Sequence, residues 1–358
     1  MVESMTSGIV YSPEYLEHIP DRATHPEARR RLLLINQILE EYHVFDNSSI
    51  QLIEPKQATP EDVLAVHTER LFELVKRTSE EGGGYLDPDT VASPRTFEIA
   101  LLAAGGVIEG VEQCMQGTIK NAFAIVRPPG HHATRKRAMG FCFFNNVAIA
   151  AKYLLRNHEM DRIAILDIDS HHGNGTQDIF YDSPEVLYIS LHQDPLTCYP
   201  GTGYLEDLGV GEGEGYNVNL PLRPLTTDEP YLYAINEVAI PLIKQYEPEF
   251  ILVSAGYDTY YRDPLTHMAL TTYSYKEIFR NIKALSKTCK NKTFVTALEG
   301  GYSQGGLQQG VLTSISEMAD LGIEIEDVPP EDYQEANYEY TQKVVAKLKN
   351  YLSPFWDF

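Results

Sequence analysis

The chain has 358 residues, 43% hydrophobic and 22% charged, with 29 Lys plus Arg against 51 Asp plus Glu and a formal charge of −22. Such a composition excludes a disordered, collagen-like or disulfide-stapled protein. The acidic excess argues against direct nucleic-acid binding and suits cationic ligands such as polyamines or lysine-rich tails.

In chain order, helical patterns over 27–42, 60–78 and 94–115 precede a strand at 122–126. A helix over 145–156 leads to strands at 163–169 and 186–191. A helix over 228–245, a strand at 250–254, a helix over 273–286 and a strand at 293–298 follow. The acidic segment 324–335 leads into an appended C-terminal helix within 331–352. The strand runs are almost continuously apolar, as in a parallel sheet covered on both faces. The alternation predicts one α/β domain over residues 1–358, a three-layer αβα fold around a central, mostly parallel sheet.

Cys114, Cys142, Cys198 and Cys289 form no C-x-x-C pair, which suits a reducing compartment. The first residues lack the basic and apolar regions of a signal peptide, and no stretch approaches the ~20 apolar residues of a membrane span. A cytoplasmic protein, or a nuclear one in a eukaryote, with no membrane partner is expected. Oligomeric state is not legible.

Unusual polar residues follow strand after strand, where ligands gather in α/β sheets. They are Arg127 to His132, Asp167 to Gly175, Ser190 to His192, Gly256 to Asp258 and Glu299 to Tyr302. In Asp167-x-Asp169-x-His171 the two-residue period of a strand puts three side chains on one face. Alone, D-x-D marks a solvated strand end. With His171, His172 and a Gly-Asn-Gly turn attached it reads as a ligand set suited to Zn²⁺, with Asp258 as the further carboxylate. His131 and His132, after Pro-Pro-Gly, match no zinc-ligand spacing and read as an acid/base pair on a stiff loop.

The segments RPPGHHA (127–133), GFCFFNN (140–146), DIDSHHGNGTQDIFY (167–181), SLHQDP (190–195), YPGTGY (199–204), SAGYDTYYRDPL (254–265) and LEGGY (298–302) together resemble the zinc-dependent histone deacetylase superfamily, which includes acetylpolyamine amidohydrolases. The resemblance runs from about Tyr11 to the helix after Tyr302 in the family's order. It implies an arginase/deacetylase-like fold, one Zn²⁺ on Asp169, His171 and Asp258, and Tyr302 as the phenol that stabilises the oxyanion. It also implies a pairing of Asp167 with His131. A structural K⁺ would be held by the carbonyls of Asp167, Asp169, His171 and Leu191 with the Ser190 hydroxyl. Gly140, Phe141 and Tyr199 would wall a narrow acyl tunnel.

Some members carry an aspartate where this chain has Asn174. A carboxylate favours imidazolium and an amide does not, so His132 is assigned as general base and His131 as its cationic partner. Asp87 and Asp89 are candidates for the tunnel mouth, with a turn-forming role beside Pro88 as the alternative, and apolar Leu265 is expected at the rim. The expected substrate is acetyl-lysine in peptides or proteins. An acetylpolyamine is the alternative, with Asp87, Asp89 or Glu206 as partner for its second cation. An inactive acetyl-group reader is disfavoured because each ligand, histidine and phenol position is filled. A two-Mn²⁺ arginase-like site lacks its second D-x-D, and a serine hydrolase lacks G-x-S-x-G.

Overall fold

The computed structural model describes residues 6–19, 25–327 and 337–358. Runs of four to eight residues, apolar in the middle of the sheet, form the central strands β1 (Thr6–Val10), β2 (Ile50–Ile53), β5 (Ile119–Ala124), β6 (Ile163–Asp167), β7 (Val186–Gln193), β8 (Asn217–Leu222), β9 (Phe250–Ala255) and β10 (Phe294–Leu298). The short β3 (Gly84–Tyr85) and β4 (Val91–Ala92) make a separate antiparallel hairpin. The large sheet runs β2-β1-β5-β10-β9-β6-β7-β8, and among the described residues every pairing in it is parallel.

Helices supply the crossovers. They are α1 (Arg30–Glu41), α2 (Pro60–Leu64), α3 (Glu69–Glu80), α4 (Thr96–Met115), α5 (Asn146–Asn157), α6 (Asn174–Phe180), α7 (Asp228–Ala234), α8 (Ile240–Tyr246), α9 (Thr272–Ser286), α10 (Gln304–Ala319) and α11 (Tyr338–Leu352). One layer packs α4 on α5, and the other packs α1, α10, α9 and α7 in succession. Both press on β-strands whose side chains are buried, giving one continuous core. No helix among the described residues is long and apolar enough to cross a membrane.

Several boundaries differ from the sequence reading. The helix expected over 60–78 breaks before Thr68, whose hydroxyl caps α3 by accepting Leu71 N–H. The pattern over 228–245 holds a π-turn, Ile235–Ala239, between α7 and α8. The strand expected over 163–169 stops at Asp167. There Asp167 Oδ1 accepts Asp169 N–H at 3.1 Å and Asp169 Oδ1 accepts His171 N–H at 2.8 Å. Side-chain acceptors replace the ladder, as is common for aspartate near chain turns. The appended helix begins at Tyr338 and packs on α7 and edge strand β8; residues 331–336 of the expected range lie outside the described residues.

Candidate active site

The strands β5, β10, β9, β6 and β7 are consecutive neighbours in the sheet. Their carboxyl ends therefore deliver the polar segments of the sequence to one rim, the position at which parallel sheets bind ligands.

Asp169, His171 and Asp258 meet there, with one donor atom from each lying within 4.8 Å of the others. His171 Nδ1 is 3.0 Å from Asp169 Oδ1 and 3.0 Å from Asp258 Oδ2. Backbone donors fix both carboxylates: Ser170 N–H reaches Asp258 Oδ1 at 2.8 Å, and Gly300 N–H reaches Asp169 Oδ2 at 2.8 Å. Only glycine serves at 300, because a Cβ would collide with Asp258 Oδ2. Burial and the charge of Asp169 raise the Asp258 carboxyl above the usual carboxylate range. Two buried anions facing one imidazole nitrogen suit a divalent cation, which relieves that repulsion, and the N/O donor set fits Zn²⁺.

His131 and His132 stand beside this cluster with ring centroids 4.0 Å apart. His131 Nδ1 lies 3.1 Å from Asp167 Oδ2, an oxygen that also accepts Tyr188 O–H at 3.0 Å. His132 Nδ1 lies 2.8 Å from Asn174 Oδ1. The two partners expected from the sequence are thus in place. Burial opposes a charge on His131, but Asp167, Asp169 and Glu299 outweigh it and push its pKa up to about 10. For His132, burial comes first and the neighbouring His131 and His171 add to it, holding it well below the usual imidazole value. His172 is not part of the cluster: its Nδ1 is 2.8 Å from Thr202 Oγ1 and its Nε2 3.1 Å from Gln177 Oε1.

A cavity of about 240 Å³ descends to the cluster, lined by His131, His132, Gly140, Phe141, His171, Tyr199, Leu265 and Tyr302 among others. Gly140 and Phe141 form a two-residue turn with φ of 57° and 67°, closed by mutual backbone hydrogen bonds of 3.0 Å between Met139 and Cys142. Positive φ at both central residues is the geometry of a tight hairpin turn, and a phenylalanine there is conformationally strained. The turn aims Phe141 edge-on at Tyr302, with centroids 6.0 Å apart. Tyr199 meets His132 edge-on from the other side at 5.1 Å. Burial keeps the Tyr302 phenol far above its ordinary pKa, so it remains a proton donor at neutral pH.

Of the two acids named for the mouth, the structure brings one to the cavity. Asp89 lines the cavity rather than Asp87. Asp87 Oδ1 accepts Asp89 N–H at 3.1 Å, the short-range bond of a turn former. Glu206 is engaged elsewhere, accepting from Lys347 Nζ at 2.8 Å and Tyr351 O–H at 3.0 Å on α11. Ser190 Oγ lies 2.8 Å from His192 Nδ1, and the β6–β7 register sets Ser190 beside Asp167.

Other residues received no role from the sequence. Pro26 lines the cavity from a segment fastened by the fully buried Arg127, whose Nε donates to Glu27 Oε1 at 2.7 Å. Buried Glu299 accepts Gly130 N–H at 2.7 Å, His131 N–H at 3.2 Å and Ser254 O–H at 3.1 Å. It pins the tandem-histidine loop to β9. A glutamate directly after an apolar strand was the signal for it.

Comparison with known proteins agrees with this geometry. Residues 25–318 match the family model for the histone deacetylase domain. A probable deacetylase of Archaeoglobus fulgidus is 44% identical over 347 residues, 97% of this chain and 95% of that protein. A histone deacetylase-like amidohydrolase of Pseudomonas aeruginosa is 36% identical over 314 residues, 87% of this chain and 80% of that one. The crystal structure of the HDA15 HD domain superposes with a TM-score of 0.88 at 32% identity, covering 98% of this chain and 95% of that chain. A parallel α/β sheet, a metal-competent triad at its carboxyl edge and relatives of this extent have one reading: the chain belongs to the histone deacetylase family and is a hydrolase of amide bonds.

Proposed function

We propose that the protein removes acetyl groups from acetyl-lysine side chains, with one Zn²⁺ held by Asp169, His171 and Asp258. The observation that carries this reading is the narrow cavity, walled by Phe141 and Tyr199, that ends on that triad. Its form suits a slender aliphatic stem tipped by an acetamide, and Leu265 gives the rim an apolar edge.

Asp169, His171 and Asp258 would hold the Zn²⁺, which when bound would supply Lewis acidity and a lowered pKa for water. Asn174 takes the Nδ1 proton of His132 as a hydrogen bond, leaving Nε2 as the base that receives the proton of the attacking water. His131, charged and held by Asp167, stabilises negative charge as it develops and orients its neighbour. Tyr302 donates its O–H to the carbonyl oxygen, a contact that strengthens toward the transition state. His132 then returns a proton to the departing amine. A structural K⁺ on the carbonyls of Asp167, Asp169, His171 and Leu191 and the Ser190 hydroxyl would stiffen the base of the site, since an all-oxygen set suits a hard cation.

Asp89 at the cavity favours a second reading, an acetylpolyamine amidohydrolase whose substrate's remote ammonium meets that carboxylate. Turnover of an acetyl-lysine peptide and of N-acetylputrescine, measured side by side, separates the two. The acetyl-lysine reading predicts kcat/KM at least ~10-fold higher for the peptide, about 1.4 kcal/mol in transition-state binding. A reversed ratio overturns it in favour of the polyamine.

A further inference from the structure

The loop between β9 and α9 carries Asp258 of the triad near its start and reaches the rim at Leu265. Between them stands Asp263, only 9% exposed. Its Oδ2 accepts Tyr302 N–H at 2.7 Å and Ser303 N–H at 3.0 Å, while its Oδ1 accepts Leu265 N–H at 2.9 Å. One carboxylate therefore bridges two loops, the one that presents the phenol and the one that presents the rim.

The chain leading into Tyr302 is fastened on two sides. Gly301 precedes it at φ 118°, a backbone state open to glycine and rare for other residues, and its carbonyl accepts from Arg31 Nε at 2.8 Å, while Asp263 takes the N–H groups that follow. On the far side, α10 begins immediately, with Ser303 as its cap. The N–H groups that reach Asp263 thus lie at the positive end of a 16-residue helix, where an anion is favoured. The rest of the β9–α9 loop has an anchor of its own. Tyr260 O–H and Tyr261 O–H donate to Asp327 Oδ1 at 3.2 and 3.3 Å, and Asp327 Oδ2 accepts Thr272 N–H at 3.3 Å. Removing the Asp263 link therefore leaves the peptide before Tyr302 held on its carbonyl side alone, by Arg31, while the β9–α9 loop itself stays tied down.

We propose that Asp263 is a positioning residue for amide hydrolysis: it holds the Tyr302 phenol in register with the metal triad and the Leu265 rim. The inference rests on the reading of Tyr302 as the donor to the substrate carbonyl. Displacing a reacting group by about 1 Å can cost on the order of 10²-fold in rate, so the register matters more than the energy of the hydrogen bonds themselves.

The test is a double-mutant cycle on the full chain with an acetyl-lysine peptide, recording kcat, KM and bound zinc. In Asp263→Asn, an NH₂ group replaces one acceptor and opposes a backbone N–H. Its kcat should fall roughly 10-fold or more, with KM changed far less and zinc retained. In the Tyr302→Phe background there is no phenol left to position, so the same substitution should cost less than about 3-fold. Equal losses in both backgrounds, or a rise in KM alone, overturn the inference. A Tyr302→Phe enzyme as active as the parent overturns the role of the phenol and this inference with it. If Asp263→Asn does not fold, Asp263→Ser, which keeps one acceptor, goes through the same cycle and is read in the same way.

Discussion

Phe141 offers a substitution in which stability and catalysis separate. Phe141→Ala and Phe141→Gly remove the same half-buried ring, worth about 1 kcal/mol of burial. Both also lose edge contacts to His25 at 4.9 Å and Tyr302 at 6.0 Å, about 0.5–1.5 kcal/mol per pair. Only glycine relieves the left-handed backbone at φ 67°, a strain of about 1–2 kcal/mol. Its extra freedom in the unfolded chain returns about 0.5–1 kcal/mol. The glycine variant should therefore be the more stable by about 0.5–1 kcal/mol, the reverse of the usual order of alanine and glycine. Urea unfolding with equal slopes reads that difference. In the same preparations kcat/KM for an acetyl-lysine peptide should fall by roughly 10-fold in both variants, because each opens the same tunnel wall. An alanine variant more stable than the glycine one would refute the strain argument. Activity close to the parent's would refute the tunnel.

Tyr302→Phe should retain its zinc and lose on the order of 10²-fold or more in kcat, as expected for removal of an oxyanion donor; steady-state kinetics beside metal analysis checks both. His67 is buried with Nδ1 2.9 Å from Thr134 O and Nε2 accepting Asn145 N–H at 2.8 Å, and burial pushes its pKa from 6.5 down to about 4. The unfolded chain binds the proton more readily, so this contribution is complete above about pH 6.5 and is lost as pH falls toward 4, on the order of 3 kcal/mol. Unfolding curves of His67→Gln should show a shallower acid limb across that window, and an unchanged limb would contradict it.

The sequence made the strands of the middle of the sheet legible because their runs are apolar and β-branched. It hid β8, whose NVNLPL mixes two asparagines and a proline into a fully buried strand. It also hid α6: NGTQDIF holds poor helix formers, and tertiary packing overrides those propensities. The metal triad was visible because two of its members stand two residues apart and the third closes another strand. The mouth was not, since DPD offers two equivalent acids and only the turn decides that Asp89 faces the cavity while Asp87 supports the backbone. Asp263 acts through backbone N–H groups of a distant loop, and such partners leave no spacing to read.

Hydrolysis is proposed to depend on one metal ion held by Asp169, His171 and Asp258. The most direct measurement is metal content per chain alongside acetyl-lysine hydrolysis, for the parent and for Asp258→Ala. One zinc per chain is expected in the parent, with zinc and activity both lost in Asp258→Ala. Two metals per chain, or full activity after thorough metal removal, would contradict it.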